Sequence, residues 1–492
     1  MAQFDVAIIG GGINGCGVAR DASGRGLSVL LVEQGDLASG TSSASSKLIH
    51  GGLRYLENYD FGLVRESLHE RELLLRNAPH LVRPMRFVIP HSPALRPAWM
   101  VWLGLKLYDF LSGRSVLARS RSFDLADDIA GVPLKKAGGR GFEYSDCATD
   151  DARLVIANAI DARERGADIR TRTRLVSARR AGHEWELVLA AGAGRETVTA
   201  KALINTAGPW AGKILDTIVK AHSNVKVRMV KGSHIVVPQL FGHGRAYLMQ
   251  NDDRRVVFAI PFAGRFTLIG TTDVEFEGDP THAAASAEEV QYLCRIAESY
   301  FRAPVEPSRV VWSFAGIRPL AADGSGSAQK ATREYEIAID GEYGEAPLLS
   351  LIGGKLTAYR SMSEHLVDKL SYWLVMQPAW TANEPLPGGD LGERGMEGLL
   401  ADLAVCHAYL PESLRHRLAA NYGRRAFNVL GEASGIEDLG PRLIGDLHRR
   451  ELDYLRAQEW AQTAEDVVWR RTKLGVGAPA DEIEAVKAAL RD

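Results

Sequence analysis

The sequence predicts a mixed fold, α/β plus α+β, that ends in a helical domain. Three observations support this prediction. The chain begins with a short apolar strand, a glycine-rich turn and a helix of small residues. Residues 225–272 contain strand-like segments in which apolar and polar residues alternate, as in antiparallel sheets with one solvated face. Residues 396–491 carry Ala, Leu, Glu and Arg at helical spacing.

Composition narrows the classes of function. The chain has 492 residues, 46% hydrophobic and 24% charged, enough for two to four ordinary globular domains. A net charge of −2 gives no basic surface, so no nucleic-acid partner is expected. Four scattered cysteines suit a reducing cytosol and argue against a metal site. The amino end lacks signal-peptide features, and the most apolar stretch, 98–111, is too short and too charged to span a bilayer.

The first motif predicts dinucleotide binding. Residues 4–9 form a β-branched apolar run typical of a buried strand, and the glycines that follow have the spacing G-x-G-x-x-G. Gly10 allows the tight turn, Gly12 lets the backbone approach a pyrophosphate, and Gly15 lets helix and strand pack closely. A second strand ends at Glu33, whose carboxylate can accept hydrogen bonds from an adenosine ribose. This motif therefore predicts a Rossmann-type domain that binds either NAD or FAD.

Later segments favour FAD, because a flavin ring lies well beyond the pyrophosphate. Residues 41–47, TSSASSK, offer hydroxyl groups, backbone N–H groups and a lysine for the pyrophosphate. Residues 202–208 and 349–360 each end a strand in small residues before a helix start, so we expect them beside the pyrophosphate and the flavin. The residues predicted to bind FAD are Gly10, Gly12, Ile13, Asn14, Gly15, Glu33, Thr41, Ser42, Ser43, Ser46, Lys47, Leu48, His50, Gly208, Trp210, Gly354, Leu356 and Thr357.

Several long strings then point to one family. They are GGGINGCGVARDASGRG, TSSASSKLIHGGLRYLE, RGFEYSDC, TAGPW, KGSHIVVP, IGTTDVE, IRPL and GGKLTAYR, with ALRPAWM, LPGG and WRRTK in addition. Together they resemble the FAD-dependent glycerol-3-phosphate dehydrogenases of bacteria, with bacterial α-glycerophosphate oxidase as a similar relative. The resemblance implies the glycine oxidase and D-amino-acid oxidase fold: a Rossmann-type FAD-binding domain, an antiparallel β-sheet substrate cap and an added C-terminal all-helical domain.

The resemblance also implies an activity. It is the oxidation of sn-glycerol 3-phosphate to dihydroxyacetone phosphate, with the hydride passing to FAD and the electrons to a membrane quinone. The alternative is an oxidase that uses O2 and releases H2O2, and the lack of an obvious inserted middle segment favours the dehydrogenase. A non-catalytic flavoprotein and an amino-acid oxidase are further alternatives. The oligomeric state stays open, with a homodimer among the options.

A phosphorylated substrate beside a flavin needs several charge-assisted donors. The cations in the most motif-like segments are Arg54, Arg318 and Lys355. Arg333 is a further candidate, with a solvated strand arginine as the competing interpretation. The residues predicted to bind substrate are Arg54, Tyr55, Thr271, Arg318, Arg333 and Lys355.

The proton of the substrate hydroxyl needs an acceptor. His50 and His234 are both candidates, because imidazole titrates near neutral pH. His234 lies in a predicted cap strand, and His50 fits equally well packed under the flavin ring. Arg318 is the third predicted catalytic residue, holding the substrate oxygen or the reduced flavin as negative charge develops. The sequence does not choose between the histidines.

Domain boundaries follow from these motifs and from the Pro- and Gly-rich linker at 385–395. The predicted FAD-binding domain is discontinuous and comprises residues 1–90, 150–210 and 350–385. The predicted cap comprises residues 91–149 and 211–349, and the C-terminal domain comprises residues 390–492.

The stretch 98–111 is the candidate membrane contact. It carries Trp99 and Trp102 with basic residues nearby, as a helix at the headgroup boundary does. A core helix under the cap is the competing interpretation. The basic stretch 469–473 either assists the contact or caps a helix. The predicted location is cytoplasmic, peripherally attached to the inner face of the cell membrane.

Overall fold

The computed structural model describes residues 2–92, 96–219, 227–251, 255–321, 334–342 and 344–491. In chain order the strands are β1 (Ala2–Ile9), β2 (Val29–Val32), β3 (Leu48–Ile49), β4 (Val82–Pro90), β5 (Arg121–Asp124), β6 (Arg140–Thr149), β7 (Asp168–Arg170), β8 (Thr173–Ala181), β9 (Glu184–Ala191), β10 (Gly194–Asn205), β11 (Val227–Pro238), β12 (Ala246–Gln250), β13 (Val256–Phe262), β14 (Phe266–Gly270), β15 (Val274–Glu275), β16 (Trp312–Ala321), β17 (Tyr335–Asp340), β18 (Leu348–Gly353), β19 (Arg442–Ile444) and β20 (Leu447–His448). The α-helices are α1 (Ile13–Gly24), α2 (Phe61–Asn77), α3 (Ala98–Leu111), α4 (Asp151–Glu164), α5 (Ala211–Lys213), α6 (Ala287–Tyr300), α7 (Tyr359–Lys369), α8 (Gly395–Cys406), α9 (Glu412–Tyr422), α10 (Ala426–Leu430), α11 (Arg449–Glu459) and α12 (Ala480–Ala489).

The first sheet has the strand order β17-β18-β10-β1-β2-β7, with the hairpin β8–β9 attached antiparallel to β10. Strands β18, β10, β1, β2 and β7 run parallel. Strand β2 and the second half of β1 are fully buried, which explains their continuous apolar sequences. Helix α1 packs with α4 and α7 on one face, and the hairpin covers the other. The carboxyl ends of the parallel strands therefore meet at one edge.

The second sheet has the order β15-β11-β14-β13-β12-β4-β6-β3, with β16 paired to β11 and β5 paired to β6. Its pairings are antiparallel except that of β4 with β12. One face packs against α6, and the other shares a core with α2 and α3. The predicted antiparallel cap is confirmed.

Two predicted boundaries differ from the strand pairing. Strand β4 falls within segment 1–90, assigned to the FAD-binding domain, but it pairs with β6 and β12 in the second sheet. Strand β17 falls within the cap segment 211–349, but it pairs with β18 in the first sheet. The apolar pattern of a strand indicates that the strand is buried, but it does not indicate which sheet the strand joins. Domain boundaries therefore depend on pairing with strands that are distant in sequence.

The C-terminal domain packs helices α8 to α12 around a core of its own. It is not wholly helical, because β19 and β20 form a two-stranded antiparallel ribbon. The turn between them contains Gly445 at a φ of +57°, a conformation that favours glycine. Across the residues that the structure describes, no helix has both the length and the apolar character needed to cross a membrane.

Candidate active site

A cleft of about 1940 Å³ is lined by residues of both sheets. Its first wall is the edge where the parallel strands end, contributed by Ile9 of β1, Val32 of β2 and Thr206 after β10. Its second wall includes Phe314 and Arg318 of β16. Ligands of open parallel sheets bind beyond the carboxyl ends of the strands, so this cleft is the candidate active site.

The glycine-rich turn is shaped by close backbone contacts. Gly10 has a φ of +109°, and a Cβ there would lie 2.7 Å from the carbonyl oxygen of Thr206. A Cβ on Gly15 would lie 1.9 Å from the carbonyl oxygen of Gly10. Gly15 therefore supports the turn from behind and does not line the cleft, while Gly10 and Gly12 do. This arrangement matches the packing role predicted for Gly15.

Glu33 is fixed at the rim of the cleft. Its carboxylate accepts hydrogen bonds from the backbone N–H groups of Gly11, at 2.8 Å, and Gly35, at 2.7 Å. Burial raises the pKa of Glu33 above its ordinary value, although these two bonds oppose the shift. The side chain thus stands beside the glycine-rich turn, where an adenosine ribose would meet it.

The serine-rich loop is tied to both walls. Ser42 Oγ accepts a hydrogen bond from the N–H of Ile13 at 2.9 Å, and Thr41 Oγ1 donates to the carbonyl of Ile317 at 2.6 Å. Thr41, Ser42, Ser43 and Ser46 all line the cleft. The loop therefore closes over the glycine-rich turn, as a pyrophosphate-binding segment must.

Lys47 departs from its predicted role. Its side chain is buried, and Nζ donates to the Asp151 carboxylate at 2.8 and 2.9 Å and to the Ser43 carbonyl at 2.8 Å. Asp151 also accepts from Ser45 Oγ at 2.7 Å. Lys47 is absent from the described lining of the cleft. Its side chain stabilises the loop from beneath.

The later predicted cofactor segments both line the cleft. Gly208, at a φ of +55°, and Trp210 line the cleft after β10. Gly354, at a φ of +86°, leads into a short 3-10 helix, and Leu356 and Thr357 line the cleft with it. These glycine-lined segments and the anchored Glu33 suit a dinucleotide with a long extension, as FAD is.

The cations of the opposite end converge on one carboxylate. Arg318 Nη1 lies 2.6 Å from Asp273 Oδ1, and Arg54 Nη1 lies 3.8 Å from Asp273 Oδ2. Arg318 Nη2 donates to Thr271 Oγ1 at 3.2 Å. A Cβ on Gly232 would lie 2.6 Å from Arg318 Nη2, so the glycine makes room for the guanidinium. Sequence reasoning missed Asp273, although it follows Thr271 in the string IGTTDVE.

Lys355 lies against Tyr55, which follows Arg54 in the chain. Lys355 Nζ lies 3.8 Å from the centre of the Tyr55 ring and donates to Ser67 Oγ at 3.3 Å. Both residues line the cleft. Arg54, Arg318 and Lys355 contribute three cationic side chains to the cleft lining, which would favour an anionic ligand near them. Arg333 lies outside the described residues.

The two candidate histidines occupy different places. His50 lines the cleft, and its backbone N–H donates to Thr357 Oγ1 at 3.1 Å. His234 is buried, stacks on Phe314 with ring centres 4.9 Å apart, and shares a 2.9 Å hydrogen bond with Ser46 Oγ. Burial, with Arg318 and Lys47 adding to it, lowers the pKa of His234 well below its ordinary value. Since His234 is absent from the described lining of the cleft, its predicted role as proton acceptor is not supported by its position.

Helix α3 forms an apolar mouth of the cleft. Trp99, Met100, Leu103 and Leu107 line the cleft there. The side chain of Trp99 is 65% exposed, whereas Trp102 turns inward and stacks on Phe142 at 6.3 Å. The exposed apolar face predicted for this helix is therefore present, but Trp102 is not part of it.

Comparison with known proteins identifies the class. The sequence matches the FAD dependent oxidoreductase family (DAO) over residues 5–360 and the C-terminal domain of alpha-glycerophosphate oxidase over residues 379–491. A glycerol-3-phosphate dehydrogenase of Pseudomonas aeruginosa is 51% identical over 96% of this chain and 92% of that protein. A D-erythritol 1-phosphate dehydrogenase of Brucella abortus is 48% identical over 95% of this chain and 94% of that protein.

A solved structure agrees with these matches. The glycerol-3-phosphate dehydrogenase from Bacillus halodurans complexed with FAD has a TM-score of 0.73 and 28% identity, covering 96% of this chain and 86% of that one. The fold and the cleft thus define a flavoprotein oxidoreductase whose cofactor is FAD. Within that class, the chain belongs to the FAD-dependent glycerol-3-phosphate dehydrogenase family.

Proposed function

We propose that the protein oxidises sn-glycerol 3-phosphate to dihydroxyacetone phosphate and passes the electrons to a membrane quinone. The observation that carries this proposal is that three cationic side chains, Arg54, Arg318 and Lys355, line the same cleft as the cofactor segments. A phosphate monoester carries between one and two negative charges near neutral pH and needs several charge-assisted donors when it leaves water.

In this proposal, different residues bind the phosphate and the reacting C2 oxygen of the substrate. Arg54 and Lys355 bind the phosphate, and the hydroxyls of Tyr55 and Thr271 complete its hydrogen bonds. Arg318 is held in a fixed orientation by Asp273 and Thr271, at 2.6 and 3.2 Å, so it supports the C2 oxygen as charge develops there. Arg333 stays a predicted member of this set.

His50 is the proposed proton acceptor for the C2 hydroxyl group. It lines the cleft, and its backbone is hydrogen-bonded in both directions to Thr357 Oγ1, at 3.1 and 3.2 Å. This anchoring holds the imidazole near the segment that carries Lys355. When bound, FAD supplies the hydride acceptor.

A second substrate has a specific observation in its favour. The relative from Brucella abortus, named a D-erythritol 1-phosphate dehydrogenase, is 48% identical, close to the 51% of the first relative. Both names describe the oxidation of a polyol phosphate, for which the same phosphate pocket would serve. D-Erythritol 1-phosphate is therefore the substrate to compare with glycerol 3-phosphate.

The electron acceptor is proposed from the apolar mouth of the cleft. Trp99, Met100 and Leu103 of α3 line this mouth, and Trp99 is also exposed to solvent. A helix with aromatic and aliphatic residues on its outer face suits the headgroup boundary of a bilayer. A lipid-soluble quinone can enter the cleft from that side, with the protein attached peripherally at the cytoplasmic membrane face. Direct reaction with O2 is the alternative.

The test is an anaerobic titration of the yellow protein, followed at the flavin absorption band. We expect stepwise bleaching by glycerol 3-phosphate and none by glycerol or D-alanine. Lys355→Met is the matched variant: it removes one phosphate donor but no group at the adenosine end, so bleaching should need at least about tenfold more substrate. Bleaching at lower concentrations of D-erythritol 1-phosphate would assign that substrate instead.

The acceptor is tested on the bleached protein. Rapid return of the colour with a short-chain quinone, and slow return with air, would support the dehydrogenase. Rapid return with air and accumulation of H2O2 would establish the oxidase. If none of the substrates bleaches the flavin, the proposed substrate class is wrong.

A further inference from the structure

Residues 466–473 of the C-terminal domain lie against the base of the cofactor loop. Asp36, shortly after Glu33, is only 3% exposed and accepts hydrogen bonds from two arginines of this segment. Arg470 Nε lies 2.6 Å from Asp36 Oδ2, and Arg471 donates to Oδ2 at 2.5 Å and to Oδ1 at 2.8 Å. Bidentate arginine–carboxylate pairs of this kind are strong and directional. The position of Asp36 is thus set by another domain.

Asp36 belongs to the loop that carries the adenosine end of the site. The N–H of Gly35 donates to the Glu33 carboxylate at 2.7 Å, and the N–H of Ala38 donates to the Gly11 carbonyl at 3.0 Å. Gly35 and Ala38, which lie on either side of Asp36 in this loop, are therefore both hydrogen-bonded to groups at the glycine-rich turn. Fixing Asp36 fixes the geometry of Glu33 and of the turn together.

The same segment holds the loop from a second side. Arg172 donates its N–H to the Gly35 carbonyl at 2.8 Å, and its guanidinium donates to Asp466 at 2.6 Å. Asp466 also accepts from the N–H groups of Gln462 and Thr463, at 2.8 and 2.9 Å. The Asp466 carboxylate that makes this contact is therefore itself held by two backbone groups of the C-terminal domain.

A third anchor reaches the serine-rich loop. Lys473 Nζ donates to Asp150 Oδ1 at 2.6 Å, and Asp150 caps the start of α4. The next residue, Asp151, binds Lys47 Nζ at 2.8 Å and Ser45 Oγ at 2.7 Å. The C-terminal segment therefore holds the start of α4, which in turn holds the pyrophosphate loop.

Strand β16, which lines the cleft, is contacted by the C-terminal segment as well. Trp469 stacks on Trp312 of β16 with ring centres 5.0 Å apart. Trp312 packs on Phe314 at 4.7 Å, and Phe314 lines the cleft. One short segment of the C-terminal domain thus contacts the loop after Glu33 and strand β16 directly, and it holds the serine-rich loop 41–47 through the start of α4.

We propose that residues 466–473 are positioning residues for the cofactor: they hold loop 33–47 in its FAD-binding shape, so the C-terminal domain sets the affinity for FAD. A loop that is ordered beforehand loses little conformational entropy when its ligand binds. Without the anchors, part of the binding free energy is spent on ordering the loop. The inference concerns FAD binding and does not depend on the substrate proposed above.

The experiment measures the dissociation constant for FAD. Deflavinated wild type, Asp36→Asn and Arg470→Gln are titrated with FAD by flavin fluorescence, and thermal unfolding is recorded at saturating FAD. We expect both variants to raise the dissociation constant at least about tenfold, because each removes a charge-assisted anchor of the loop. The absorption spectrum of the bound flavin should stay unchanged, because the ring end is built by other segments.

Glu164→Gln is the matched control. Glu164 of α4 pairs with Arg425 of the C-terminal domain at 2.7 Å, so it joins the same domains without touching loop 33–47. It should leave the FAD dissociation constant within about twofold of wild type. An equal rise in all three variants would mean that general domain docking, not these anchors, controls the affinity. Unchanged affinity in Arg470→Gln, whose side chain is partly exposed and should not prevent folding, would also overturn the proposal.

Discussion

His50 and His234 have different surroundings, and the difference favours His50 as the proposed proton acceptor. His50 lines the cleft beside Thr357. His234 is packed between Phe314 and the loop at Ser46, and its Nδ1 has no hydrogen-bond partner within the described structure. The buried His234 ring therefore lies behind Phe314 and Ser46, which line the cleft, and we expect it to support them.

Exchanging each histidine for asparagine separates these roles. His50→Asn should lower the rate of flavin reduction by substrate about 100-fold or more, because general-base catalysis contributes about 10²–10⁴-fold. His234→Asn should lower stability by about 1–3 kcal/mol and change that rate less than tenfold at saturating FAD. Anaerobic stopped-flow absorbance measures both rates. Equal losses in the two variants would contradict the assignment.

The position of a residue in the structure was predictable where a local sequence motif fixes the backbone around it. The spacing of Gly10, Gly12 and Gly15 and the end of the strand at Glu33 follow from backbone geometry within a short segment. Lys47 and Trp102 were misplaced because the direction of a side chain depends on what packs nearby. Lys47 forms an ion pair with Asp151 beneath the loop, and Trp102 stacks on the inward-facing Phe142. Such partners are distant in sequence, and no local pattern reveals them.

Helix α3 has one side buried in the protein and one side exposed to solvent. Leu105 and Tyr108 are buried on its inner side, and Tyr108 donates to Asp146 at 2.8 Å. Trp99 and Phe110 point outward and are 65% and 77% exposed. The competing interpretation of a core helix describes the inner side, and the interfacial helix stays a prediction for the exposed outer side.

Phe110→Ser tests the outer side of α3. Transfer of a phenylalanine side chain from water into an apolar phase contributes about 1.5–3 kcal/mol, so the affinity for liposomes should fall about tenfold or more. Flavin reduction by substrate should remain near the wild-type rate, because Phe110 lies outside the cleft lining. Co-sedimentation with liposomes measures the binding.

Val405→Ser is the control for this change. Val405 of α8 is 81% exposed, but it belongs to the C-terminal domain and not to the mouth of the cleft. It should leave liposome binding unaltered. If Phe110→Ser binds liposomes as wild type does, α3 is not the membrane contact.

At the scale of the whole molecule, the linker and the C-terminal domain close over a buried histidine. The His80 ring lies against Gly388 and Gly423, where added Cβ atoms would come within 3.4 and 3.0 Å of it. Nearby, Arg153 of α4 forms a buried ion pair with Glu459 of α11 and donates to the Asn421 carbonyl at 3.0 Å. Burial, with Arg153 adding to it, lowers the pKa of His80 to about 3.

This pKa predicts acid sensitivity. The unfolded chain binds a proton at His80 below pH 6.5 and the folded protein does not until about pH 3, so stability falls as the pH drops through 6.5. Between pH 7 and pH 5 the loss from His80 should be about 2 kcal/mol. Urea unfolding of wild type and His80→Gln at both pH values measures the difference.

The comparison isolates His80 because other titrating groups are common to both proteins. Burial raises the pKa of Asp21 to about 6, which works in the opposite direction, since protonation below that pH stabilises the folded state. His80→Gln should therefore lose less stability than wild type on acidification. Equal losses would show that His80 is not the sensitive group.

The strand order of the first sheet has a consequence for protein synthesis. Strand β1 pairs with β10, and β10 pairs with β18, which leaves the ribosome only after the whole cap has been made. Helix α7 follows β18, and its Tyr359 and Ser363 pack against Gly17 of α1. A nascent chain therefore carries an incomplete first sheet, and an α1 that α7 does not yet cover, through most of translation. Chaperone availability should then limit the yield of active enzyme in the cell, and cofactor capture should follow release of the finished polypeptide.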